Sequence, residues 1–279
     1  MQGLLTVAQL TLLEARRRRV VLAALICGVA FLVVFAVAIY FINRNALSGG
    51  GPQGMLQRGL QRQVLTLAGL YVVNFLVVAM SVMLPVDTLS GEIASGVIQT
   101  LASKPIRRAQ IVLGKWLVYW LMIAAYIVLL VLGVALVMSV ITGFSQQHLL
   151  SALGLMWLEA TVLLSVTIAG GVRFSTVTNG IVAFAFYALA FIGGMIETVG
   201  VTVGNSTARY IGTAISLVSP SDAVWRMAMH VLQPPILSQV QITPFSSGSV
   251  PSAAMMWWAV AFVIAMLVLA IRGFRKRAL

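Results

Sequence analysis

From Val20 to Ile42 the chain runs without a single charged residue. An apolar helix of about 20 residues is enough to cross the hydrocarbon core of a bilayer. Five more long apolar runs follow: Val64 to Val86, Trp116 to Ile141, Leu149 to Gly171 with the single acid Glu159, Gly180 to about Val203 with the single acid Glu197, and Met255 to Ile271. Composition agrees with them. Of 279 residues, 61% are hydrophobic and only 9% charged, and the mean hydropathy is +1.04, whereas a soluble domain carries about 25% charge. The sequence therefore predicts an all-α polytopic membrane protein, with six transmembrane helices forming one domain over residues 1–279. The net charge of +12 is read as cations gathered at helix ends and cytoplasmic loops rather than as a nucleic-acid surface. Cys27 is the single cysteine and lies inside the first run, so no disulfide framework or cysteine metal cluster is expected.

Residues 1–19 precede the first span. Leu4, Val7, Ala8, Leu12 and Ala15 recur at helical spacing and lead into Arg16, Arg17, Arg18 and Arg19. This pattern predicts an amphipathic helix on the cytoplasmic face with its arginines at lipid phosphates. A basic block before an apolar run also imitates a signal peptide, but the run is too long, and an uncleaved anchor is expected. Orientation follows from counting cations. With both termini inside, the inner segments hold Arg16 to Arg19, Lys104, Arg107, Arg108, Lys115, Arg173, Arg272, Arg275, Lys276 and Arg277. The outer ones hold Arg44, Arg58, Arg62, Arg209 and Arg226. Thirteen against five of the eighteen Lys and Arg residues favours cytoplasmic N and C termini in an inner (plasma) membrane.

Asn43 to Gln63 reads as a polar, Gly-rich connection. Its Leu47-Ser48-Gly49-Gly50-Gly51 imitates the signature of ABC ATPases, yet beside a membrane span and without a phosphate loop it is only a turn. Residues 204–254 form the extracytoplasmic segment. There Tyr210 to Val218 is apolar but too short to span. Ser219-Pro220-Ser221-Asp222 predicts a helix start, with Ser219 as N-cap and Asp222 three residues on, running to about Leu232 before Gln233-Pro234-Pro235. Two short helices dipping into, or lying on, the outer leaflet are expected. Trp257-Trp258 opens the last span as an interfacial belt.

Residues 87–115 are the longest polar interruption between two spans. Ile93, Val97, Ile98 and Leu101 fall on one face of a helix, with Glu92, Ser95, Gln99 and Ser103 on others. Pro105 starts the next helix, and Arg107 and Arg108 occupy its first turn. Cations are mildly unfavourable there against the helix dipole, so they are expected to answer to an anionic surface, either lipid phosphate or a partner.

Ser90-Gly91-Glu92, Gly96, Leu101, Pro105, Arg108 and Gly114-Lys115, placed between the second and third of six spans, resemble the type-2 permease subunits of ABC transporters. The resemblance covers nearly the whole chain and is most similar to NosY-like permeases, associated with maturation of nitrous oxide reductase. It implies that residues 87–115 form a cytoplasmic coupling loop docking on a separate ATPase, two copies of which pair with two permease copies. Glu92 would be the polar anchor of the coupling helix. Ile93, Val97 and Leu101 would be its inserted face, and Arg107 and Arg108 would hold the loop at the membrane or the ATPase. The first, second and fifth spans would line the path. ATP and Mg would bind in the partner, and this chain would bind no cofactor. Its sequence agrees: Gly114-Lys115 has Ala109 and Trp116 where a phosphate loop needs Gly and Ser or Thr. Competing readings are mechanical work on an extracytoplasmic partner protein without translocation, a secondary transporter, and a channel.

Glu159 stands near mid-depth in the fourth span, where a carboxylate is costly unless protonated, paired or facing water. It is read either as a proton relay or, preferably, as a protonated or hydrogen-bonded carboxyl packed between helices near Thr161 or Trp157, because no second ionisable residue shares its depth. Met227, Met229 and His230 are soft donors suited to Cu(I), but packing is the preferred role and no metal site is expected. Nor does any arrangement of nucleophile and base support an intramembrane enzyme.

Overall fold

The computed structural model describes residues 2–45, 52–91, 108–233 and 251–276. It is built of α-helices, with no strand among the described residues. They are α1 (Gln2–Arg17), α2 (Arg19–Asn45), α3 (Pro52–Met83), α4 (Arg108–Thr142), α5 (Leu149–Gly171), α6 (Thr176–Val203), α7 (Ser206–Val218), α8 (Ser221–Leu232) and α9 (Ala253–Lys276). Six of them, α2 to α6 and α9, are long and apolar enough to cross a membrane. The fold class expected from the sequence is thus the one observed. Six crossings put the start of α2 and the end of α9 at the same end of the bundle. That end, which also carries the turns after α3 and α5, is called here the terminal end.

Several boundaries move. The polar connection expected up to Gln63 ends earlier, because α3 starts at Pro52, where proline's fixed φ and missing N–H suit a first helical turn. Leu47 to Gly51 lie outside the described residues. The second span ends at Met83 rather than Val86: residues 84–89 are turns, with Thr88 N–H bonded to the Pro85 carbonyl at 3.0 Å. On the far side of the segment, the helix expected to start at Pro105 is described from Arg108, and Arg108 to Lys115 form the first turns of α4.

Helices α4 and α5 form the centre. Around α4 pack α1, α2, α3, α5 and α9, and around α5 pack α3, α6, α8 and α9. Tyr119, Ile123, Ile127 and Leu130 of α4 are fully buried with Met156, Ala160 and Leu164 of α5. Helix α2, by contrast, leaves Leu22, Ile26, Val29, Val33, Val34 and Val37 exposed, as a lipid-facing or subunit-facing span does. The stripe of α1 resolves differently from its prediction. Val7, Thr11 and Ala15 are buried on the side of α1 that packs against α4, and Leu10, Leu12 and Leu13 are exposed for lipid.

The open choice for residues 204–232 is settled in favour of dipping. Helices α7 and α8 form a re-entrant hairpin. Helix α7 runs antiparallel to α6 at close range: a Cβ on Gly200 would strike Ala208 and Arg209, one on Gly212 would strike Glu197, and one on Gly193 would strike Ile215. Thirteen residues at about 1.5 Å each carry the chain roughly 20 Å inward. At the tip, Ser219 Oγ donates to the Phe186 carbonyl at 3.1 Å. Helix α8 returns along α5, burying Ala223, Val224, Trp225, Ala228 and Met229. Irregular backbone at membrane depth is tolerated only when wrapped in protein, and residues 219–226 are all buried. The expected N-cap fails here. Pro220 occupies that position, no side chain caps the helix, and Asp222 is drawn into an ion pair instead.

Candidate functional site: the root of the α3–α4 segment and the polar interior

At the terminal end the chain leaves α3 and enters the segment that leads to α4 through a polar brace. Thr88 Oγ1 donates to the Tyr119 hydroxyl of α4 at 2.6 Å. Thr176 Oγ1, at the start of α6, donates to Asp87 Oδ1 at 2.9 Å and lies 2.9 Å from Ser90 Oγ. Asn179 Nδ2 donates both to the Val86 carbonyl (3.2 Å) and to the Thr167 carbonyl of α5 (3.0 Å). A Cβ at Gly91 would collide with the Asp87 carboxylate, which is a physical reason for glycine in the Ser90-Gly91 pair. Residues 86–91 are therefore tied directly to α4 and α6, and Asn179 of α6 carries the tie on to α5.

Of the coupling residues expected from the sequence, Glu92, Ile93, Val97, Leu101 and Arg107 lie outside the described residues. Arg108 is described. Its Nη1 donates to the carbonyls of Arg275 (3.1 Å) and Phe274 (3.4 Å) in the last turn of α9, where a cation meets the negative end of a helix. The structure thus supplies Arg108 with an intramolecular partner in addition to any external one. Lys115 is buried at the same end. Of the basic block, Arg16 and Arg17 lie in α1 and Arg19 opens α2 as an exposed residue. Arg18 Nη2 bridges to Glu14 at 2.6 Å.

Glu159 is 1% exposed, and its partner is not the Thr161 or Trp157 expected. Asn74 of α3 donates through Nδ2 to Glu159 Oε1 at 3.3 Å. Thr161 instead accepts from Trp120 Nε1 at 3.0 Å and donates to the Trp157 carbonyl at 2.7 Å. Those two indoles stack 4.2 Å apart, and Trp116 continues the stack. Nor is Glu159 isolated among ionisable groups: the hairpin brings Asp222 into electrostatic reach of it, which no linear estimate of depth could show. Arg226, counted as an outer loop cation, is in fact buried. Its Nε donates to Asp222 Oδ2 and its Nη2 to Glu197 Oε2, both at 2.9 Å, and Nη2 also reaches Ser216 Oγ at 3.2 Å. One guanidinium joins α6, α7 and α8.

The soft donors do not converge. Met229 is buried in the main core while His230 is exposed. Among the described residues no group of three or more His, Cys, Asp or Glu could hold a metal. Sequence reasoning passed over Asn74, Asn179, Thr176 and Tyr119. Asn74 carried a signal, since an amide inside an apolar run is costly without a partner.

No curated protein matches the chain. Residues 5–279 match the family model described as ABC-2 family transporter protein, at a level that does not single out the NosY-like group. With six apolar helices and a braced segment between the second and third, the chain belongs to the ABC-2 transporter family and is a membrane permease subunit of an ABC transporter.

Proposed function

We propose that this permease is driven by a separate ATPase that docks on the segment between α3 and α4, and that the movement is transmitted into the bundle through residues 86–91. The observation that carries the reading is the brace itself, in which Asp87, Thr88 and Ser90 are held by Thr176 and Tyr119 from two different spans. A loop that merely connects spans has no need of such ties. In this reading Glu92 anchors the coupling helix, Ile93, Val97 and Leu101 form its inserted face, and Arg107 and Arg108 hold its exit. Two permeases pair with two ATPases, ATP and Mg bind in the ATPases, and this chain performs no hydrolysis. The terminal end faces the cytoplasm, as the cation count favours, in the inner (plasma) membrane. The direction of work is outward: export, or force delivered to an extracytoplasmic partner.

Co-purification with the ATPase tests it. Glu92→Lys, and separately Asp at Ile93, Val97 and Leu101, should abolish ATPase retention while the permease still folds and inserts. Retention and unchanged ATP turnover in both variants would overturn the proposal.

A further inference from the structure

Where α2, α3 and α4 meet at the end opposite the termini, a cleft opens among them. Asn43 of α2, Arg58, Gln61 and Arg62 of α3, and Thr142 of α4 line it beside the buried Ile39. Its walls are fixed to each other, because Asn43 Nδ2 donates to the Ile141 carbonyl of α4 at 3.1 Å. The Thr142 hydroxyl is committed as well, donating to the Met138 carbonyl at 2.6 Å. The groups left to a ligand are mainly donors: two guanidiniums, which carry no acceptor, the Gln61 amide and the second N–H of Asn43. No acidic side chain is in the lining.

The charge gathered there is unusual. Arg58 and Arg62 are half-buried and stand four residues apart on one face of α3, a spacing at which like charges repel. Arg44, in the last turn of α2, lines a neighbouring cleft that shares Asn43. These are three of the four Lys and Arg residues that the sequence assigns to this end once Arg226 is enclosed. The chain's six acids are all placed elsewhere. Glu14 bridges Arg18, Asp87 accepts from Thr176, and Glu92 adjoins Gly91 in the chain. Glu159 is joined to Asn74, and Glu197 and Asp222 hold Arg226. A balancing anion therefore has to come from outside the chain.

We propose that this cleft binds an oxyanion of the phosphate class, with Arg58 and Arg62 as its charged donors and Gln61 and Asn43 as its neutral ones. Guanidinium forks match the spacing of phosphate oxygens, and a lining with two cations and no carboxylate disfavours a cationic ligand. The room inside, about 30 Å³, holds about two oxygen-sized atoms, so the cleft grips the oxyanion and leaves the rest of the ligand at its mouth. The level agrees. Asn43 and Thr142 directly follow the apolar runs of α2 and α4, and Arg62 comes just before that of α3, where hydrocarbon gives way to headgroups. A lipid phosphate and a soluble phosphate compound present the same chemistry at that level. The inference rests on packing and charge at this end and not on ATPase coupling.

Two arms separate the sources. The full-length permease in mild detergent is titrated with inorganic phosphate by calorimetry at constant ionic strength. In parallel it is given phosphatidylglycerol, and retained lipid is counted by native mass spectrometry. Saturable phosphate binding assigns a soluble ligand, and lipid retained only by an intact cleft assigns a headgroup. For whichever probe binds, each of Arg58→Gln and Arg62→Gln should weaken binding about fivefold, near 1 kcal/mol per charge. Gln61→Glu, at an exposed position, should abolish it by placing a carboxylate among the donors. Arg209→Gln, at the same end on α7, controls for general surface charge and should leave it unchanged. Failure of both probes to bind, binding insensitive to the changes at Arg58, Arg62 and Gln61, or an equal loss in Arg209→Gln would each overturn the site. The three altered side chains all reach solvent, and unchanged melting in detergent confirms that a loss of binding is not a loss of fold. ATP turnover is not read, so failure here and failure of the coupling proposal are separate results.

Discussion

At the scale of single residues, the buried polar groups determine which helices can be neighbours. Asn74 Oδ1 and Glu159 Oε2 are both buried without a hydrogen-bond partner, and they belong to the two residues already joined through Nδ2 and Oε1. A neutral Glu159 donating from Oε2 to Oδ1 would satisfy both atoms with one proton and close a reciprocal acid–amide pair, whereas an ionised one would leave two acceptors facing each other in apolar surroundings. Glu159→Gln, which keeps a donor and an acceptor, should therefore retain wild-type thermal stability in detergent and an unchanged response to an imposed pH gradient. Asn74→Leu should lose about 1–3 kcal/mol by orphaning the carboxyl. If Glu159→Gln is as damaging as Glu159→Leu, a charge rather than a hydrogen bond is what the site requires. Arg226 follows different arithmetic. Removing one partner from a buried ionic group leaves uncompensated charge, so Arg226→Ala should cost roughly 3–5 kcal/mol, read as early aggregation on heating. Adding Glu197→Gln and Asp222→Asn to that variant should recover much of the loss. The carboxyl at mid-span was legible in the sequence because charge is rare there. Its partners were not, because Asn74 lies 85 residues away and only the packing of α3 on α5 makes them neighbours.

Among elements, the spans were legible and the hairpin was half legible. Long apolar runs force a helix whatever surrounds them, and so α5 begins and ends where its hydropathy does. Helix α3 overran its apolar run at one end and fell short at the other. Gln57, Arg58, Gln61, Arg62 and Gln63 are polar yet good helix formers, and Pro85 cannot continue the ladder. The hairpin's two helices were visible by length, but whether they lie on the membrane or enter it depends on α6 presenting Gly193 and Gly200 where α7 approaches, and no periodicity within residues 204–232 contains that information. Gly193→Leu should therefore overpack against Ile215 at about 1–3 kcal/mol and expose the hairpin, detected as protease cleavage between α7 and α8. Gly154→Ala, with open space around its Cα, should be silent in the same assay. The expected coupling residues have the opposite origin. Glu92, Ile93, Val97 and Leu101 came from a short amphipathic period and a family resemblance, while the residues that root them, Tyr119, Thr176 and Asn179, sit in other spans and look ordinary there.

The whole molecule is polarised by charge, and this favours one orientation across a membrane. Arg226 leaves the outer tally once the hairpin buries it against two carboxylates, since a neutralised, protein-enclosed cation is not a translocated loop charge. Four cations that the sequence assigns to the outside then oppose thirteen that it assigns to the inside, and the bias for cytoplasmic termini grows. Labelling decides it. Cys27 is the only cysteine and lies on an exposed face of α2, so a Cys27→Ser background is needed. In that background, Gln146→Cys, in the turn between α4 and α5, should react with a membrane-impermeant maleimide on intact cells. Ser175→Cys, in the turn between α5 and α6, should react only after permeabilisation. Because the two turns flank a single span, the pair reports its direction with no assumption about the others. The reverse pattern would place the braced segment outside, beyond reach of any cytoplasmic ATPase, and would remove the coupling proposal together with the orientation. The expected pattern would leave the segment after Gly91 facing the compartment where ATP is, with Asp87, Thr88 and Ser90 positioned to pass its movement to α4 and α6.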